Sequence, residues 1–370
     1  TAYWGLFFAA TGVIDGITHE TTRAVASARE TGARGTASPW RFGASVATGI
    51  VFVVIGVGFW VMVKLVPMSP APATSLLAFG LISYVFQAAL SGILSGAQLW
   101  DQYAGLVALD SGVRLGLALL AWVLGWGLSA FLLITVAGAV SWLAILGASR
   151  QARDKIRVAL DVNREAFTRR VLSAMVASGA SAALITGFPT AVSAAFPDGD
   201  AQLSIIISAI NNAVMLTRAP VLVPLQRFQS ALVVRFVAKR KRIHQALLGP
   251  VVSVMGLGVI GFVAAWIFGP LILRVAFKPE LFVGGLILGL LTFASAFMGT
   301  LMITGVAVLA LDQHRWYVAG WVTASVVAFA LLFFGPWGVV RSVILALFAG
   351  PLAGSIVHVI GLSRAKAAAT

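Results

Sequence analysis

The sequence predicts an all-α polytopic membrane protein. Three observations carry the prediction. Hydrophobic residues make up 60% of the 370 positions, only 10% are charged, and charge-free apolar runs recur at the length of a bilayer crossing. A soluble domain carries about a quarter charged residues, and one aqueous core cannot bury this much apolar surface, so lipid is the expected solvent. The mean hydropathy of +0.98 points the same way. The chain has no cysteine, which excludes disulfides, thiolate zinc sites and thiol nucleophiles. The net charge of +14 would suggest nucleic acid in a soluble chain. In a membrane chain the placement of the charges matters more, and no nucleic-acid partner is expected.

A helix needs about 20 residues to cross the hydrocarbon layer. Expected spans cover residues 2–23, 40–65, 75–95, 102–124, 128–146, 171–196, 201–224, 248–275, 281–309, 315–334 and 339–362, about 11 by this length criterion. The first is followed by a polar stretch ending at Pro39, and the second is closed by the Pro-rich residues 66–73. Residues 115–149 hold no charge, and Gly125-Trp126-Gly127 offers a turn within them. That stretch is too short for two full spans and a turn, so the earlier helix must reach back to Gln102. This draws Asp110 and Arg114 into the membrane.

Lys and Arg set the orientation. Basic connections carry Arg29, Arg34 and Arg41; then Arg150, Arg153, Lys155, Arg157, Arg164, Arg169 and Arg170; then Arg235, Lys239, Arg240, Lys241 and Arg242; and finally Arg364 and Lys366 in the tail. The alternate connections carry only Lys64, Arg274, Lys278 and Arg341, plus the acidic Asp198 and Asp200. The basic side is expected to be cytoplasmic, with the C-terminus there. Thr1 would then start outside unless one more helix precedes it, which predicts a missing first span and an intact total of about 12.

The basic stretch divides the chain into an N-terminal lobe of five helices at 1–146, a cytoplasmic linker at 147–170 with a surface helix over 151–170, and a six-helix lobe at 171–370. Transporters are often built from repeats. Thr22-Arg23-Ala24 and Thr217-Arg218-Ala219 echo one another late in the second helix of each proposed half. Both halves would start on one side, giving a parallel repeat about an axis along the membrane normal.

Helix count, basic linker and several segments together resemble the multidrug/oligosaccharidyl-lipid/polysaccharide exporter superfamily. The segments are Tyr3-Trp4-Gly5-Leu6-Phe7-Phe8, leading into a helix closed by Glu20-Thr21-Thr22-Arg23, and Ala219-Pro220-Val221-Leu222-Val223-Pro224. The chain looks most like the Wzx-type polysaccharide flippases and lipid II flippases of that superfamily, and its Ala-, Val- and Gly-rich composition suggests an actinobacterial source. The resemblance implies two six-helix lobes around a central cavity, alternating access in a bacterial cytoplasmic membrane, and a polyprenyl-diphosphate-linked saccharide as cargo.

An ionisable group inside a bilayer costs roughly 2.5–3.5 kcal/mol on insertion scales, so each one narrows the function. Arg218 lies about 15 residues, or roughly 22 Å, into its expected helix. A guanidinium there can clamp a diphosphate with paired hydrogen bonds that Lys cannot reproduce, and the lipid II flippases use cavity arginines in this way. The alternative for Arg218 is snorkelling to the inner headgroups. Arg23 would face it across the repeat axis. Asp15, deeper in the same helix, is expected to counter Arg23 or to bind a coupling cation, with His19 and Glu20 interfacial. Asp110 and Arg114 have the i,i+4 spacing of an ion pair, serving either as a neutralised packing element or as a gate and substrate contact. Asn211 and Asn212 are expected to bond across to a neighbouring helix or to sugar hydroxyls. Pro189, Pro220 and Pro224 are expected to kink helices. Trp40, Trp100, Trp316 and Trp337 read as interface anchors, and the basic linker as a surface for anionic membrane lipids.

Two other classes compete. A drug or cation antiporter of the same superfamily would want a cavity dominated by carboxylates. A membrane glycosyltransferase would use Asp198-Gly199-Asp200 as an outward metal-binding motif, although every outer connection is short and the motif also reads as a helix-linking turn. No phosphate loop, His/Cys metal cluster or nucleophile–base set is visible in the sequence. No enzyme activity and no cofactor are therefore expected, and an ion gradient or the membrane potential would supply the energy.

Overall fold

The computed structural model describes residues 2–65, 70–197 and 201–367, and these residues fold almost wholly as helix. Asp198-Gly199-Asp200, and the side chains of Lys64 and Lys366, lie outside what it describes. Two compact units divide between Gly179 and Ala180.

The first unit begins with α1 (Ala2–Thr31), α2 (Pro39–Val53), α3 (Phe59–Leu65) and α4 (Pro70–Gly96). A π-helical turn, Val54–Gly58, joins α2 to α3, so together they form one span, Pro39–Val63. Next come α5 (Trp100–Val123), α6 (Leu128–Ala137), α7 (Ser141–Ala148) and α8 (Arg150–Asp154). The helix α9 (Arg164–Ile185) carries the chain across the division. The second unit continues with α10 (Phe188–Ala195), α11 (Ala201–Ala238), α12 (Ile243–Ala276), α13 (Gly285–Ala310), α14 (His314–Phe334) and α15 (Val339–Ala367).

Among the described residues nine helices are long and apolar enough to cross a membrane, or ten if the bent pair α9–α10 is one span. The chain is a multi-pass membrane protein. Leu257, Ile260, Ile267 and Phe268 stand exposed along α12, as lipid-facing side chains do. The expected first span, α1, is not in that set, because Asp15, His19, Glu20 and Arg23 interrupt its apolar character.

Small residues set the packing in each unit. A side chain at Gly92 or Gly96 of α4 would come within 2.9 Å of the Thr18 carbonyl and 2.8 Å of the Thr22 carbonyl, respectively. Their absence lets α1 and α4 approach closely enough for Thr18 Oγ1 to donate to Ala88 O at 3.0 Å. This is the small-xxx-small logic of membrane helix pairs. In the second unit Gly320 and Gly354 do the same between α14 and α15, with His358 and the Gly320 carbonyl in the vacated space. The order of packing repeats: α4 receives α1 and α2, and α13 receives α11 and α12.

Several expectations are corrected. The linker is not one helix over 151–170. The short α8 is followed by turns and by an extended stretch in which Leu160 O and Val162 O accept from Gly35 N and Ala37 N at 2.6 and 3.2 Å. Backbone pairing with residues 35–37 replaces helical bonding there. Pro224 does not end its helix; α11 carries Pro220 and Pro224 inside it and runs on to Ala238. Inside a membrane bundle neighbouring groups can satisfy the carbonyls that proline frees. The span expected at 171–196 is broken, with α9 and α10 meeting at 59° around Thr186 and Gly187. Trp40 is more than an anchor: its Nε1 donates to Ile156 O at 3.0 Å, and its ring packs on Phe86 and Trp142.

Candidate functional site

The first unit holds two polar centres. In α1, Arg23 is wholly buried. Its guanidinium donates to both oxygens of Glu20 at 2.9 and 2.7 Å and to both oxygens of Asp161 at 2.8 and 3.0 Å. Glu20, expected at the interface, is also fully buried, because its i,i+3 spacing puts it beside Arg23. Asp161 arrives from the extended linker. The expected counterion, Asp15, is engaged elsewhere and accepts from Tyr84 Oη at 2.7 Å. His19 meets Ser178 Oγ at 3.2 Å.

The second centre is the α5 pair. Arg114 lies 2.8 Å from Asp110, as the i,i+4 spacing requires. Gln87 Nε2 of α4 donates to the same carboxylate at 3.1 Å. The guanidinium lies over Phe7 and Phe8, 5.8 and 5.2 Å from their ring centres, a cation–π arrangement favoured where water is scarce. The 3-10 turn Gly138–Val140 between α6 and α7 fits against this pair. A Cβ at Gly138 would fall 2.5 Å from Asp110 O and 2.6 Å from Arg114 Nε.

In the second unit the break between α9 and α10 sits against α11. The last carbonyls of a helix lack intrahelical donors. Arg218 supplies donors here, its Nη1 reaching Ile185 O at 3.1 Å and Leu184 O at 3.4 Å. A cation at a helix C-terminus also complements the helix dipole. The guanidinium lies 5.0 Å from the Phe188 ring centre, is 6% exposed, and its Nη2 has no hydrogen-bond partner. Arg218 is thus held inside the second unit by the α9 carbonyls. Seven residues earlier on α11, Asn211 Nδ2 donates to Pro189 O at 3.1 Å and lies 3.4 Å from Ser193 Oγ in α10. Asn211 and Arg218 thus bracket the break. Asn211 Oδ1 and Asn212 Nδ2 are buried without partners.

The Thr-Arg-Ala echo therefore marks two buried arginines with different surroundings, carboxylates for Arg23 and carbonyls for Arg218. Sequence reasoning missed Asp161 because the linker was expected to be helical. Tyr84 and Gln87 were missed because single polar residues in an apolar run give no pairing signal. His358, fully buried, was missed for the same reason. It lies 3.1 Å from Thr304 Oγ1 and 3.2 Å from Tyr317 O, cross-linking α13, α14 and α15. Among the described residues, no group of three His, Asp or Glu could hold a metal ion.

Comparison with known proteins adds three findings. No family model matches the chain. Solved structures do match, at low identity. An outward-facing multidrug resistance MATE family transporter of the MOP superfamily has a TM-score of 0.73, 15% identity, and coverage of 98% of this chain and 86% of its own. The MATE transporter VcmN of Vibrio cholerae, in its bent form, has a TM-score of 0.69 and 14% identity over 98% of this chain and 87% of its own. A MATE complex with MaD5 reaches a TM-score of 0.76 at 15% identity, covering 98% and 86%. These likenesses give the fold: an all-α MATE-type membrane architecture. Curated relatives are much nearer in sequence. The uncharacterized protein Rv1510 of Mycobacterium tuberculosis is 36% identical over 364 residues, 98% of this chain and 83% of the relative. The uncharacterized protein Rv3630 of the same species is 35% identical over 365 residues, 98% and 84%, as is Mb3654 of Mycobacterium bovis. Similarity at this level over 98% of the chain makes it a member of the family of the mycobacterial proteins Rv1510 and Rv3630, carried on a MATE-type membrane fold.

Proposed function

We propose that the chain exports a polyprenyl-diphosphate-linked saccharide across the bacterial cytoplasmic membrane by alternating access, as a Wzx-like flippase of the MOP superfamily. The observation that carries this reading is Arg218. It lies 17 residues into α11, about 26 Å along it at 1.5 Å per residue, with a buried Nη2 that lacks an acceptor. An unsatisfied cationic donor at that depth is costly, and a diphosphate oxygen would satisfy it with a charge-assisted bond. Asn211 and Asn212, with their own unpaired polar atoms, would add contacts to sugar hydroxyls, and the Asp110–Arg114 pair would exchange partners during the cycle. Asp15 is the carboxylate assigned to a coupling cation. Arg23, held by Glu20 and Asp161, joins the cargo site only if a phosphate displaces Asp161. The C-terminus is cytoplasmic in this reading, the lobes are 1–146 and 171–370, and the mycobacterial relatives support an actinobacterial source.

The test is flipping of lipid-linked sugars in proteoliposomes. Arg218→Ala and Arg218→Lys should both lose flipping while expression persists. Lys should keep the cap on the α9 carbonyls, and hence the thermal midpoint, better than Ala. Wild-type flipping by either variant removes the clamp. A MATE-like cation antiporter is the second reading, favoured by the fold match and by Asp15 beside Tyr84. Proton- or sodium-driven dye efflux, lost in Asp15→Asn and unaffected by Arg218→Lys, would select it.

A further inference from the structure

A basic cavity lined by none of the buried charges just described lies in the first unit. Between the starts of α2 and α9 is a cavity of about 160 Å³, lined by Thr36, Ser38, Arg41, Phe42, Arg164 and Phe167, among others. Phe42 and Phe167 meet edge to face at 5.8 Å and form an apolar wall. Arg41 and Arg164 both line the cavity, both are exposed, and neither has a carboxylate partner among the described residues.

The hydroxyls divide by availability. Ser45 and Thr168, also in the lining, donate back to Arg41 O and Arg164 O at 3.2 and 3.0 Å, so their protons are used. Ser38 Oγ only accepts, from Arg41 N at 3.5 Å, which leaves its proton for a ligand. The donors lining the space thus include two guanidinium groups and the hydroxyls of Thr36 and Ser38, and no carboxylate lines it. The cavity lies where the span Pro39–Val63 begins.

We infer that this cavity binds a phosphate-bearing anion, with an anionic phospholipid headgroup held between Arg41 and Arg164 as the favoured source. Two guanidiniums on separate helices suit a phosphate that offers several acceptor oxygens. An acyl chain attached to it would run along the exposed apolar side of α2, where Phe52 and Val53 are bare. Such a ligand would tie α9, the helix that crosses the division between the units, to α2. This site is independent of the proposed cargo.

The full chain in neutral detergent should show a thermal midpoint that rises with phosphatidylglycerol and not with phosphatidylcholine. Losing one charge-assisted partner should weaken the apparent affinity about tenfold in Arg41→Gln and in Arg164→Gln, and more in the double variant. Both side chains are exposed, so the variants should fold. Arg150→Gln, exposed and outside the cavity, should respond as wild type. Inorganic phosphate is the separate arm. A rise with phosphate that the same variants lose, with none from the lipid, overturns the headgroup and keeps the anion. An undiminished lipid response in the double variant, an equal response to phosphatidylcholine, or no response of the wild type to either probe overturns the site.

Discussion

Replacing Arg23 by Gln tests whether the buried charges of α1 hold the first unit together. Arg23 and Glu20 have no exposed surface, and the Asp161 side chain is 9% exposed. The guanidinium makes four bonds of 2.7–3.0 Å to these two carboxylates. Removing one partner of a buried pair costs about 3–5 kcal/mol, because the remaining charge stays desolvated. Here one cation faces two carboxylates, so Arg23→Gln should fall at the upper end of that range. Arg23→Lys keeps the charge but not both forked contacts, and should recover about half of the loss. Glu20→Gln leaves the Asp161 pair in place and should cost less than Arg23→Gln. The assay is denaturant-driven unfolding in micelles, followed by tryptophan fluorescence, with Arg150→Gln as an exposed control. If Arg23→Gln unfolds like that control, the triad contributes nothing to stability and the reasoning fails. Because Asp161 lies in the linker, proteolysis there should also accelerate in Arg23→Gln, a local effect that uniform destabilisation would not produce.

Two further outcomes follow from the packing. Asp110→Asn leaves Arg114 facing Phe7 and Phe8 without its carboxylate and should destabilise by about 1–3 kcal/mol, whereas Asp110→Asn with Arg114→Gln should regain much of that loss; unfolding of the three proteins under one condition decides it. Gly320→Ala places a methyl where the His358 ring lies. Overpacking of this kind costs about 1–3 kcal/mol, and the thermal midpoint should recover when His358→Ala is added, which a simple loss of helix flexibility at Gly320 would not explain.

The sequence alone determined the class, the approximate spans and the i,i+4 pair, since apolar run length and helical spacing are local properties. The spans expected over residues 281–309, 315–334 and 339–362 fall on α13, α14 and α15. Asp110–Arg114 was legible because both partners share one helix. What tertiary structure decided is whatever joins residues distant in sequence. Asp161 reaches Arg23 across 138 positions, and only after the linker abandons helix to pair with Gly35 and Ala37. Arg218 looked like a lone cation in an apolar run. Its company is the carbonyl end of α9, which exists only because the chain breaks at Thr186-Gly187 and folds that end onto α11. A buried charge announces itself in sequence by its cost, while its partner is chosen by the packing that brings two helices together.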